Sequence, residues 1–315
     1  MDRITKISVL KANPQLAGIV CVVVGMVAII GSDSAIKWVS ADYSLHQIVL
    51  VRSLVALVLV WGFMAVAGGR LRTNRLALHL ARGGLLVIAN LCYLSALAAM
   101  PIAEAMTLFF VAPLIITALS VPVLGEHVGP HRWAAVLIGM VGVIVMMRPG
   151  EGVLNWVSVL PIVAAAAYAG MQLITRRLGT TDSAASMAFH IQVSFIVVSV
   201  VFGVVIGDGR FADGSNEALD FLFRAWVWPT AAGFGVMVLC GVFTAIASYF
   251  LSQAYRIAEP NVVAPFEYSA LPWGVIAGYV LWGDLPDLTG VLGIVAIVGA
   301  GFYILYRENL RRRQE

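Results

Sequence analysis

The sequence predicts an all-α integral membrane protein of ten transmembrane helices, built as two five-helix halves of inverted topology. Three observations predict it. First, 61% of the 315 residues are hydrophobic and only 12% are charged, against about 25% charged in a water-soluble domain, and the mean hydropathy is +0.93. Second, the apolar residues fall into ten runs, most near the roughly 20 residues that cross a 30 Å hydrocarbon core. Third, a stretch in the first half can be laid without gaps on a stretch in the second.

The runs follow one another with short breaks of charge, Gly and Pro. Span 1 (15–38) follows a basic leader with Arg3, Lys6 and Lys11. That leader is like the start of a signal peptide, but the apolar run after it is long and lacks a convincing cleavage site, so it reads as a retained first helix. Span 2 (46–67) ends before Arg70, Arg72 and Arg75, span 3 covers 80–99, and Pro101 separates it from span 4 (102–123). Span 5 (132–147) lies between Arg132 and Arg148, span 6 (155–175) stops at Arg176 and Arg177, and span 7 is 184–206. The longest gap, 207–225, holds Asp208, Asp213, Glu217 and Asp220. Span 8 (226–251) precedes Arg256, span 9 (260–282) closes on Gly283-Asp284, and span 10 (287–306) leads into the basic end of the chain. No gap leaves room for a soluble catalytic domain.

Ten spans put both termini on one side. With the termini in the cytoplasm, 15 of the 20 Lys and Arg, Arg82 among them, fall inside, as the positive-inside rule requires. The expected location is therefore the inner, cytoplasmic membrane, with lipid as the surrounding partner. A net charge of +3, dispersed in this way, argues against nucleic-acid binding. Cys21, Cys92 and Cys240 are odd in number and lie inside apolar runs, so they read as packing residues rather than disulfides or a thiolate metal site. His127 and His131 have helical metal spacing, but Gly129-Pro130 breaks the helix between them. No metal and no cofactor is expected.

The repeat runs from Ala96 through Gly125-Glu126 and from Ala254 through Gly283-Asp284, each crossing a full span and closing on Gly plus an acid. Five spans per half place the two copies in opposite orientations, as inverted repeats of secondary transporters require. Halves at 1–150 and 151–315 follow. The strings AEAMTLFFVAPLIITALSVPVLGE and AYRIAEPNVVAPFEYSALPWGVIAGYVLWGD resemble the EamA branch of the drug/metabolite transporter superfamily. The segment GSDSAIKWVS followed by HQIVLVRS is similar to the subgroup that includes riboflavin and S-adenosylmethionine carriers. Asp284 stands where that family usually has Glu. The resemblance implies ten helices, two inverted halves and a central cavity for a small organic solute.

An ionisable group at mid-membrane costs about 2.5–3.5 kcal/mol on insertion scales, so each one within a span needs a reason. Asp33 and Lys37, four residues apart, share a helical face and can pair or hold a zwitterionic solute. Alternatively, Lys37 snorkels to the headgroups. Arg52 suits a carboxylate partner such as Asp33 or an anionic ligand. Glu267, between Pro265 and Pro272, lies where two prolines loosen span 9; broken helices are where transporters place their sites. A partly desolvated carboxyl there is a candidate to bind a cation or proton, or to bond to another helix near Tyr268 or to Arg52. Phe109 and Phe110 are candidates for a wall stacking on a planar ring. Asn90, Tyr93, Tyr168, Gln172, His190, Gln192 and Tyr268 are polar or ionisable groups within spans, suited to a substrate or to interhelical bonding.

The function that follows is secondary transport of a small organic metabolite by alternating access, proton-coupled or by exchange. The solute is riboflavin-like or another planar or zwitterionic molecule. No phosphate-cradling G-x-x-x-x-G-K-[ST] motif supplies ATP drive. The alternatives are a polytopic membrane enzyme acting on lipids, which lacks the carboxylate, metal or nucleophile motifs such chemistry needs, and a non-transporting scaffold. Small residues in spans 5 and 10 suit close packing within a monomer or between the subunits of a homodimer.

Overall fold

The computed structural model describes residues 14–67, 73, 75–112, 114–116, 118–119, 133–134, 137–138, 140–142, 156–178, 183–212, 214, 216–258 and 264–312. Both termini, Gly125-Glu126, His127, His131 and most of span 5 lie outside the described residues. The helices, in order, are α1 (Pro14–Val39), α2 (Leu45–Ala67), α3 (Leu76–Ala99), α4 (Ile102–Phe109), α5 (Trp156–Leu178), α6 (Ala184–Ile206), α7 (Glu217–Phe223), α8 (Ala231–Ile257), a 3-10 segment (Ala264–Ser269), α9 (Ala270–Trp282) and α10 (Leu288–Arg312). Six are long and apolar enough to cross a membrane: α1, α2, α3, α5, α6 and α8. Their outward faces carry large apolar side chains, Val58 and Trp61 on α2 and Val201 and Val204 on α6. Such a surface is stable only against lipid.

Sequence sets where the helices start and stop. Ser183 accepts from Ser186 N to cap α6, and Thr230 accepts from Gly233 N to cap α8, each satisfying a donor that a helix start leaves free. Pro101 precedes α4 in an extended conformation. Gly283 ends α9 at φ 74°, and its own N–H with that of Asp284 returns to Tyr279 O and Gly278 O. A side chain there would strain the backbone, which accounts for the Gly in the Gly-acid signature.

Two helices depart from uniform spans. α4 closes at Phe109, and Phe110 and Val111 form a turn. Span 9 is no continuous α-helix: the 3-10 segment covers Ala264–Ser269 before α9 begins. Span 3 begins at Leu76 rather than at residue 80, and the helix of span 8 runs from Ala231 to Ile257, shifted from the expected 226–251.

Each first-half helix lies against a second-half partner: α1 on α8, α3 on α5, α2 on α6 and α8, and α4 on α5 and α9. The α1–α8 contact is close because Gly25 offers no side chain; a Cβ there would meet Leu251 Cγ at 2.8 Å.

At the end where α1 turns into α2, the halves are clasped together. His46 Nδ1 donates to Leu222 O at 3.1 Å, Gln47 Nε2 donates to Val227 O at 2.6 Å, and Val227 N returns to Gln47 Oε1 at 3.3 Å. Arg224 donates to Ser40 O at 2.7 Å and also to Ala41 O, while Thr230 N donates to the Tyr43 hydroxyl at 3.1 Å. The gap at 207–225, an acidic loop by sequence, thus contains α7, whose Phe221 and Ala218 are buried.

Candidate functional site

The helices enclose a cavity of about 230 Å³ reached by side chains from α1, α2, α3, α4, α5, α6, α8, the 3-10 segment and α9. Of the residues singled out by sequence, Asp33, Arg52, Asn90, Tyr93, Phe109, Phe110, Tyr168, Gln172 and Glu267 line it. Lys37, His190, Gln192 and Tyr268 do not.

One pole of the cavity is built by α1, α2 and α3. Asp33, 7% exposed, faces Arg52, 4% exposed, from the next helix. Tyr93 lines the same pole from α3, beside the Asp33 carboxyl. Arg52 Nη2 donates to Asn90 Oδ1 at 2.5 Å, and its guanidinium lies 5.4 Å from the centre of the Phe195 ring. Asp33 Oδ2 and Arg52 Nε are buried with no hydrogen-bond partner among the described residues. In a low-dielectric site such atoms are costly to leave unmet, so this pole has a donor and an acceptor to offer.

The pairing of Asp33 with Lys37 does not form. The Lys37 ammonium donates to Leu97 O at 2.9 Å and Met100 O at 2.7 Å and sits 5.6 Å from the Trp282 ring centre. One helical turn separates Lys37 from Asp33, and the long lysine stem carries its charge onward to the carbonyls that end α3, where a helix carries partial negative charge.

The opposite pole gathers around Glu267, 4% exposed. Tyr168 of α5 donates to Glu267 Oε1 at 3.3 Å, and Tyr255 of α8 donates to the same oxygen. Gln172 Nε2 in turn donates to the Tyr168 hydroxyl at 2.6 Å. The partners of Glu267 are thus two tyrosines from other helices, neither Arg52 nor a neighbour of Tyr268. The 3-10 turn is what separates the roles of adjacent residues: Glu267 faces the cavity, while Tyr268 packs at 5.3 Å on Phe110 and 6.0 Å on Phe302.

Phe109 stands between the poles. Its ring lies 5.3 Å from Tyr93 on one side and 5.3 Å from Tyr168 on the other, both tilted. A continuous aromatic wall therefore runs from Tyr93, beside Asp33, to Tyr168, a hydrogen-bond partner of Glu267. Because α4 ends at this residue, the wall is held at the end of a helix rather than in its middle.

His190 lies off the cavity, stacked at 4.3 Å on His79 with Nδ1 donating to Ser186 O at 2.8 Å. Among the described residues no cluster of His, Cys, Asp and Glu is arranged to hold a metal ion.

Sequence reading missed Arg82, Thr175 and Tyr255, all of which line the cavity. Arg82, taken as a cytoplasmic-face charge, is 4% exposed. It donates through Nε to Thr175 Oγ1 at 2.7 Å and through Nη1 to Met187 O at 3.2 Å. The four extra residues at the start of α3 set it about 6 Å deeper than a span from residue 80 allows. Tyr255 was missed for the matching reason, since α8 continues to Ile257 beyond the expected end at 251.

Residues 16–148 match the EamA-like transporter family. Over 90% of its length the chain is 29% identical to a riboflavin transporter of Vibrio cholerae, covering 91% of that protein. It is 25% identical to an S-adenosylmethionine uptake transporter of Rickettsia prowazekii, with 88% of each chain covered. It is 23% identical to a pseudopaline exporter of Pseudomonas aeruginosa, over 85% of this chain and 88% of that one. A crystal structure 19% identical in sequence superposes with a TM-score of 0.62, covering 92% of this chain and 97% of the other, a likeness of fold. An all-α, multi-pass membrane protein, the chain carries an EamA-like domain, and the family model and relatives it matches bear the names of transporters rather than of enzymes.

Proposed function

We propose that the chain is a secondary carrier that moves a small planar or zwitterionic metabolite across the cytoplasmic membrane by alternating access, coupled to protons or to a counter-solute. The observation that carries this reading is the central cavity, with one buried acid from each half, Asp33 and Glu267, and an aromatic wall between them. Polar groups at both ends and aromatic rings between suit a flat heteroaromatic solute with polar substituents. The named activities of the relatives, riboflavin and S-adenosylmethionine transport, are of this kind.

In this reading the ten spans form two inverted halves, 1–150 and 151–315. The helix contacts support it. If span n of the first half corresponds to span n+5 of the second, the α1–α8 contact maps onto the α5–α3 contact. Under the same exchange, α2–α6 and α4–α9 map onto themselves, and all four contacts are present. With both termini cytoplasmic, the clasped α1–α2 end faces outward and Glu267 lies toward the inside.

The test is uptake or exchange of labelled riboflavin and S-adenosylmethionine by the purified protein in liposomes, with and without a proton gradient. A broader metabolite panel would serve as competitors. Accumulation or exchange above empty vesicles is expected. Failure with every solute would remove the carrier reading.

A further inference from the structure

We infer that Arg82, with Thr175, is an anion-binding subsite of the cavity, so that the transported solute carries a carboxylate or phosphate group. The inference rests on the carrier reading and narrows its solute class.

Arg82 lines the cavity from α3 and is almost wholly shielded from solvent. A guanidinium has five N–H donors and cannot shed its charge. Among the described residues Arg82 donates only to two neutral oxygens, Thr175 Oγ1 and Met187 O. A buried cation with neutral partners alone keeps donors over and an uncompensated charge. The other cation of the cavity differs, because Arg52 has Asp33 facing it. Glu267 does not fill the gap for Arg82: among the described residues no hydrogen bond or ion pair joins the two, and the Glu267 bonds come from Tyr168 and Tyr255.

The geometry of α5 shows how a solute would lie. Tyr168, Gln172 and Thr175 fall at i, i+4 and i+7 on one face of that helix and all line the cavity. Tyr168 holds Glu267 and Thr175 holds Arg82, so the acid and the base are anchored about 10 Å apart along the helix. A solute with its anionic group on Arg82 lies along this face, with Gln172 at its middle and the Phe109 ring against any planar portion. Arg is the side chain suited to this task because its planar fork meets a carboxylate or phosphate with two parallel bonds.

The test compares binding to the detergent-solubilised protein within two solute pairs that differ only in the anionic group. One pair is riboflavin 5′-phosphate against riboflavin; the other is S-adenosylmethionine against its decarboxylated form. The expected result is at least a tenfold preference for the anionic member of one pair, and which pair shows it tells phosphate from carboxylate. Arg82→Gln should erase that preference, and Arg82→Lys should keep part of it. The wild-type comparison stands even if Arg82→Gln fails to fold. Equal binding within both pairs overturns the anion subsite alone, as does an Arg82→Gln variant that weakens both members alike, the mark of a purely structural tie between α3, α5 and α6. Wild-type protein that is folded but binds none of the four solutes overturns the carrier reading for these solutes, and this inference with it.

Discussion

Asp33 and Glu267 stand at opposite poles of one cavity, and they are held in contrasting ways. Glu267 is met by two neutral donors, the hydroxyls of Tyr168 and Tyr255. Asp33 faces a full positive charge on Arg52, yet one of its oxygens has no partner among the described residues. The first arrangement suits a carboxyl that gains and loses a proton while its neighbours stay neutral. The second suits a fixed charge pair with a vacancy for a polar group of a solute. Their backbones differ as well: Asp33 sits in regular α-helix, whereas Glu267 sits in a 3-10 segment, where repositioning the chain breaks fewer α-helical bonds.

That contrast can be broken or sharpened by substitution. The largest effect is expected from Glu267→Gln, which keeps an oxygen for both tyrosines but removes the titrating group. Net uptake in liposomes should fall by roughly a hundredfold or more while the melting profile stays close to wild type. Wild-type rates at every pH in that variant would remove Glu267 from coupling. Next, Asp33→Asn leaves Arg52 buried without its counter-charge, a change expected to cost about 3–5 kcal/mol of stability, most of it regained in the Asp33→Asn, Arg52→Gln double variant. Additive losses across that cycle would show that the two charges do not act as a pair. Phe109→Ala, which removes the wall between the poles, should weaken binding of a planar solute by roughly tenfold, the scale of an aromatic contact of about 1–1.5 kcal/mol. The least effect on transport is expected from Lys37→Met, which should leave solute affinity unchanged and cost about 1 kcal/mol of stability through the freed carbonyls of Leu97 and Met100.

Much of this molecule is legible in its sequence because lipid imposes a simple rule: every backbone group must be satisfied within the segment, so a long apolar run is a helix. The limits of α6 agree with the run at 184–206, and Pro265 together with Pro272 marks the place where span 9 departs from a regular helix. The site was partly legible, since an acid beside prolines stands out against apolar neighbours. Arg82 did not stand out. Its partner Thr175 lies 93 residues away, and hydropathy assigns an arginine near a run's edge to the headgroups whether or not such a partner exists. The Asp33–Lys37 spacing misled for a related reason. Spacing along one helix shows which groups share a face, but Lys37 is claimed by carbonyls of another helix. Tyr168 and Tyr255 likewise become partners of Glu267 only when α5, α8 and the 3-10 segment meet.

The clasp between the α1–α2 turn and the segment from Leu222 to Thr230 has a thermodynamic consequence. It is made of separate polar contacts at an end of the bundle, and a single bond of this kind is worth only about 0.5–1.5 kcal/mol net. Together they set a gap of a few kcal/mol, the range in which a minor conformer is populated at roughly 0.1–10%. In a carrier that alternates, such a clasp is a rheostat. Removing the Gln47 amide or the Tyr43 hydroxyl would change the open population roughly two- to tenfold and so retune turnover without altering any group that lines the cavity.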